Sequence, residues 1–252
     1  MFSYCRTAAL VLLAVSATVG AQAQSSSSSQ EPAQQPAATE PSKPALSGAA
    51  SVQARVRARR AQRRAAAIHD VYDHGYEVYF GGGYLRFTPG PGAAGSTGGL
   101  QRVNEYLWDV GVTRYFTQNL GVTVDGRGNF GTAYLGNNQY SLVKPKISEY
   151  MGMVGPTYRF IKDPKFSVSG RVLAGGAFGN FLSDANGYTA AETGLYPDGG
   201  GLAVSAGLPV EYNVSPALGV RVTPEYVMTN FGSTIQNNLG FTAGVVIRFG
   251  KR

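Results

Sequence analysis

From Tyr76 to Phe249 apolar and polar residues alternate, in eight segments separated by turn-forming residues. A period of two is the signature of a strand with one face in an apolar medium. The clearest segment is Asn104 to Phe116, where Tyr106, Trp108, Val110 and Val112 fall on one face and Glu105, Asp109 and Thr113 on the other. After Thr117-Gln118-Asn119, Leu120, Val122 and Val124 alternate with Thr123, Asp125, Arg127 and Asn129. Together the two segments predict a hairpin with one apolar and one charged face. The same reading gives strands at Tyr76–Phe87, Ile147–Phe160, Phe166–Phe178, Leu202–Tyr212, Leu218–Phe231 and Leu239–Phe249.

Each segment is long enough to cross a bilayer as a tilted strand. Connections after the second, fourth and sixth segments are tight. Those after the first, third and fifth (Gly179 to Gly201) are longer and rich in Gly, Asn and Tyr, and the one after the seventh is the shortest of this long set. Short periplasmic turns alternating with longer outer loops belong to outer-membrane barrels, and an even strand count leaves both chain ends in the periplasm. The expected fold is all-β: an eight-stranded antiparallel up-and-down transmembrane β-barrel, preceded by a disordered linker and a short basic helix.

Lipid does not solvate charge, so the apolar face must look outward. The lumen then receives Glu77, Glu105, Asp109, Asp125, Arg127, Glu149, Arg159, Arg171, Glu211, Arg221, Glu225 and Arg248. Eight strands enclose a space just wide enough for side chains, so these charges are expected to pair with one another. Two aromatic girdles are expected at the strand ends. One holds Tyr76, Tyr115, Phe116, Tyr158, Phe160, Phe166, Tyr212 and Phe249; the other holds Tyr84, Phe87, Tyr106, Trp108, Phe130, Tyr150, Phe178 and Phe231. Pro156, Pro209 and Pro224 fall within strands, where bulges are expected.

Ahead of the barrel (76–250), Met1 to Ala23 reads as a signal peptide, with Arg6, an apolar run from Ala8 to Val19 and an Ala21-Gln22-Ala23 cleavage site. Cys5, the only cysteine, lies within it, so no disulfide or thiolate ligand is expected afterwards. Residues 24–51 are rich in Ser, Gln, Pro and Ala and read as a disordered linker. In 52–75, Arg55, Arg57, Arg59, Arg60, Arg63 and Arg64 surround an alanine stripe on a helix. This segment is a candidate contact for an anionic periplasmic surface, against the plainer reading of a solvated tether. The signal directs it away from nucleic acid. Charged residues are 15% of the chain and the mean hydropathy is −0.11, which argues against a helical membrane protein but not against a barrel.

Catalysis by acyl transfer needs a nucleophile and a base. The two histidines, His69 and His74, precede the first strand. With Asp70 and Asp73 they form a polar cluster, read as a junction rather than a metal site. No enzymatic activity, cofactor or metal is expected. The expected role is structural or surface-interacting, with a small pore, or an adhesin acting through Asp184, Tyr188, Glu192, Tyr196 and Asp198 of the fifth connection, as alternatives. The expected partners are outer-membrane lipids, and the chain is expected to be monomeric.

The eight segments, the signal and the final strand Gly240-Phe241-Thr242-Ala243-Gly244-Val245-Val246-Ile247-Arg248-Phe249 make the chain resemble the small Gram-negative outer-membrane β-barrels, of the OmpA-like membrane-domain, OmpX and opacity-protein type. Val154-Gly155-Pro156-Thr157-Tyr158-Arg159-Phe160 is similar to a strand common in such barrels. The resemblance implies location in the cell outer membrane, and recognition of the last strand by the outer-membrane assembly machinery. Two departures stand out: Gly250-Lys251-Arg252 follow the terminal aromatic, and no peptidoglycan-binding domain follows the barrel.

Overall fold

A computed structural model describes residues 48–92, 100–135 and 144–252. The signal peptide and most of the linker lie outside the described residues. Helix α1 (Gly48–Tyr72) leads into β1 (His74–Phe87), so His74 opens the first strand rather than preceding it. Then come β2 (Val103–Tyr115), β3 (Leu120–Thr132), β4 (Lys146–Lys162), β5 (Phe166–Asn180), the short helix α2 (Ala190–Thr193), β6 (Gly199–Gly207), β7 (Val210–Asn213), β8 (Leu218–Phe231) and β9 (Thr234–Lys251).

All pairings are antiparallel, and β1 closes the ring against β9. β6 and β7 are two halves of one traverse, both lying between β5 and β8, so the ring has eight staves, as the alternation predicts. The inter-stave hydrogen bonds leave no open edge.

The prolines break the ladder without the expected bulges. Pro209 stands between β6 and β7, yet the register against β8 is the same on both sides, Gly207 facing Glu225 and Val210 facing Val222. Pro156 and Pro224 hold register positions opposite Val122 and Phe241. A missing N–H is thus absorbed by skipping a bond. The one register shift in β4 lies further on, between Arg159 and Ile161. β1 and β9 approach closely where Gly81 faces Gly244; a Cβ on Gly81 would lie 2.2 Å from the Ala243 carbonyl oxygen.

The last long connection does not exist as expected. β9 starts at Thr234, and Phe231 pairs directly with Thr234 across Gly232 and Ser233, both at positive φ. This two-residue turn matches the strand twist, and the amide-rich stretch after it is strand.

Candidate functional site

All twelve charges assigned to the lumen are buried, whereas the apolar residues beside them on each strand, apart from the half-buried Val78, are exposed on the barrel's outer face. They sort into layers along the barrel. Nearest α1, Glu77 accepts hydrogen bonds from Arg159 Nη2 at 3.0 Å and Arg248 Nε at 3.2 Å, and another from Arg221. Glu211 accepts from Arg221 Nε at 2.9 Å, from Ser167 at 3.1 Å and from Arg248. The Arg159 guanidinium stacks 4.1 Å from the Tyr115 ring centroid and 4.8 Å from that of Tyr72.

The next layer joins Asp125, Arg127, Glu225, Arg171 and Asp109. Arg127 donates to Asp125 at 2.9 Å and to Glu225 at 2.6 Å. Arg171 donates to Glu225 at 3.3 Å and lies 3.7 Å from Asp109. Tyr79 sits between the layers, with Arg221 4.5 Å and Arg171 5.2 Å from its ring centroid. A hydroxyl ladder, Thr113–Thr123 at 2.8 Å and Thr123–Thr157 at 2.6 Å, lines the wall.

Glu105 and Glu149 depart from this pattern. Both are buried, but among the described residues neither forms an ion pair; Glu149 receives one bond, from Asn129 Nδ2 at 3.3 Å. The surrounding part of the lumen is apolar. Leu85, Leu107, Met151, Met153, Leu173 and Val227 belong to one buried cluster there.

The mouth opposite α1 is closed by the fifth connection. Phe181, Leu195 and Tyr196 turn inward, with Phe181 5.9 Å from Phe87 and 5.1 Å from Phe231, ring centroid to centroid. Tyr196 N–H donates to the Pro89 carbonyl at 3.0 Å, and Gly92 N–H to the Gly194 carbonyl at 3.0 Å. Asp198 accepts from the Phe181 and Leu182 amides at 2.6 and 2.8 Å. Asp184 accepts from Lys146 N–H at 3.3 Å. Glu192 accepts the Thr189 N–H and hydroxyl, each at 2.7 Å, and these donors hold its carboxyl below the usual range. Tyr188 N–H donates to the Ala185 carbonyl at 3.0 Å, so the residues named as loop-binding candidates are engaged by the protein itself.

Phe87, Phe231 and Tyr115 are buried in the lumen rather than in the outer girdles. Strand parity carries the signal: Tyr115 shares a face with Glu105 and Asp109, Phe87 with Glu77, and Phe231 with Glu225. Phe181, Leu195 and Tyr196 had no such signal, since a connection has no period.

At the other end, Tyr72 donates to the Asp163 carbonyl at 2.7 Å and accepts from Asn213 Nδ2 at 3.1 Å. Arg64 reaches Asp163 at 2.5 Å, while Arg55, Arg57, Arg59, Arg60 and Arg63 are exposed. His69 Nε2 lies 3.9 Å from Asp73, and among the described residues no three His, Cys, Asp or Glu side chains gather as metal ligands.

No protein-family model and no curated protein matches the chain. Among solved structures it is similar to Ail, the attachment invasion locus protein of Yersinia pestis, at 16% identity, covering 70% of this chain and 99% of that one with a TM-score of 0.44. It is also similar to Neisserial surface protein A, at 14% identity over 69% and 97% of the two chains with a TM-score of 0.46. The outer membrane protein OprG from Pseudomonas aeruginosa is similar at 13% identity, over 71% and 98%, with a TM-score of 0.43.

Proposed function

We propose that this chain is an outer-membrane barrel with a structural or surface-interacting role and a lumen filled by its own side chains. One observation carries the reading. On β2, Tyr106 is 73% exposed, with Trp108, Val110 and Val112 exposed beside it, while Glu105 and Asp109 on the same strand are buried. Apolar surface of this extent is unfavourable in water and suits hydrocarbon. Outward-facing Tyr76, Phe116, Tyr158, Phe160, Tyr212 and Phe249 near the α1 end fit an interfacial girdle.

In this reading α1 is periplasmic and the Phe181–Tyr196 cap faces outside. The last strand is the segment read by the assembly machinery, and the arginines of α1 meet an anionic periplasmic surface. The protein acts as a monomer without enzymatic activity. Supporting this, both histidines sit at the α1 end, away from the cap. The paired arginines and the aromatic cap argue against a pore.

The test is fractionation of cells making the full chain, followed by electrophoresis with and without boiling and by planar-bilayer recording. Recovery in the outer-membrane fraction, a heat-dependent mobility shift and no steady conductance are expected. Recovery as a detergent-free soluble protein overturns the membrane reading, and large stable current steps overturn the filled lumen.

A further inference from the structure

The barrel encloses more acid than base, and the excess is local. Glu77, Glu211, Asp109, Asp125 and Glu225 are matched in number by Arg127, Arg159, Arg171, Arg221 and Arg248, in two ion-pair clusters (Glu77 and Glu211 with Arg159, Arg221 and Arg248; Asp109, Asp125 and Glu225 with Arg127 and Arg171) that Tyr79 links into one set. Glu105 on β2 and Glu149 on β4 remain outside that set. Both are fully buried. Neither Glu105 carboxylate oxygen has a hydrogen-bond partner, nor has Glu149 Oε1.

Asn129 supplies a second and independent indication. It lies on β3 between the two strands, directly opposite Glu149, and is fully buried. Its Nδ2 is turned to Glu149, and its carbonyl Oδ1 is left without a donor. Arg127, two residues along the same face of β3, points its Nε and Nη1 at Asp125 and Glu225 instead. Gly131 makes room here, since a Cβ on it would come within 2.9 Å of Glu105 Cγ. Val103 and Leu107 flank Glu105 along β2, and Ile147 and Met151 flank Glu149 along β4, all within the apolar cluster. Four buried acceptor oxygens thus share one apolar compartment without a donor, an arrangement that is costly unless positive charge enters it.

We propose that Glu105, Glu149 and the Asn129 side-chain carbonyl form a binding site for one hard divalent cation of the calcium or magnesium class. Every donor atom is oxygen, which selects such ions over the softer metals that prefer nitrogen or sulfur. Two carboxylates cancel a double charge, and with the ion bound the buried charges of the lumen sum to zero. The site lies near the loop end, where β2 begins at Val103 and β4 at Lys146.

The test uses the full chain folded in a zwitterionic detergent, which removes anionic lipid headgroups as a competing source of ligands. After stripping with EDTA, the chain is dialysed against radioactive calcium beside a Glu105→Gln/Glu149→Gln variant. One calcium per chain at saturation is expected, with an unfolding midpoint that rises with the logarithm of calcium concentration. Both effects are lost in the double variant, which in EDTA unfolds no lower than stripped wild type. If the double variant yields no folded chain, Glu105→Gln replaces it, with affinity falling by about tenfold or more as a charged ligand is removed. Calcium retained undiminished by the variant overturns the site. So does a wild type whose midpoint ignores both calcium and magnesium and rises only on acidification, which would put protons in the ion's place.

Discussion

Arg171 on β5 reaches across the barrel to Tyr79 on β1, its Nη1 donating to the phenolic oxygen at 2.7 Å while Tyr79 donates in turn to Asp125. The two strands are remote in the ring, so this contact ties opposite walls through the lumen rather than along the sheet. Arg171 also faces Glu225 and Asp109. Arg171→Ala leaves buried carboxylates short of a cation, and breaking such a pair costs about 3–5 kcal/mol. Tyr79→Phe removes only the hydroxyl bridge, for about 1–3 kcal/mol. Urea unfolding of the two variants in detergent should show that order; equal losses would mean that Arg171 contributes packing and not charge.

The Gly232–Ser233 turn makes a second prediction. Both residues sit at positive φ, near 60°, and a Cβ on Gly232 would lie 3.1 Å from Pro197 Cδ in the cap. Gly232→Ala should destabilise by about 1–2 kcal/mol, from left-handed backbone strain. Ser233→Gly, which relieves the same strain one residue on, should stabilise by up to about 1 kcal/mol. Midpoints moving the same way in both variants would contradict a tight hairpin.

Much of this architecture was legible in the residues, for physical reasons that also mark where reading stops. Alternation along β2 assigns every side chain to lumen or exterior because a strand has only two faces. The same parity would have placed Tyr115, Phe87 and Phe231 inside; proximity to a strand end suggested a girdle instead. Gln236, Asn237 and Asn238 read as loop because polar amides inside a strand give no apolar beat, yet Gln236 and Asn238 are buried lumen residues. The pairing of individual charges depends on reach across the ring. Glu105 and Glu149 are indistinguishable in sequence from Glu77 and Glu211, and only the three-dimensional distribution of arginines separates them. Phe181 and Tyr196 cap the mouth through contacts among three separate connections, which no local pattern encodes.

Tyr72 gives the α1 junction a pH dependence. Burial pushes its phenol above the ordinary value of 10.0, opposed in part by the Asn213 hydrogen bond. A raised folded-state pKa means the contribution is fully present below pH 10 and is lost as pH rises through the folded value. A spin label introduced by Ala66→Cys should therefore gain mobility above pH 10, while the β-sheet signal of the barrel persists. Tyr72→Phe should remove that alkaline transition. If the transition survives in Tyr72→Phe, another group holds the helix.

The arginines of α1 make the last prediction, and their spacing decides its size. Arg55, Arg59 and Arg63 are four residues apart and exposed, forming one stripe along a 25-residue helix. Arg64, on a neighbouring stripe, is engaged with Asp163 and helps anchor the helix base, although an ion pair with so exposed a partner contributes about 1 kcal/mol at most. A helix can lay only one stripe on a surface at a time. At about 1 kcal/mol per arginine near an anionic surface, that stripe supplies about 3 kcal/mol. Replacing Arg55, Arg59 and Arg63 with Gln should therefore weaken binding to phosphatidylserine vesicles by about 100-fold when the chain is held in a zwitterionic nanodisc. The wild-type affinity should fall steeply as salt rises, because exposed charges are screened within about 8 Å at physiological ionic strength. The alanine stripe adds little, since each methyl buries a small area, so charge and not insertion should set the affinity. Vesicle binding that is the same for wild type and the triple variant, or indifferent to salt, would make α1 a solvated tether between the barrel and the preceding chain.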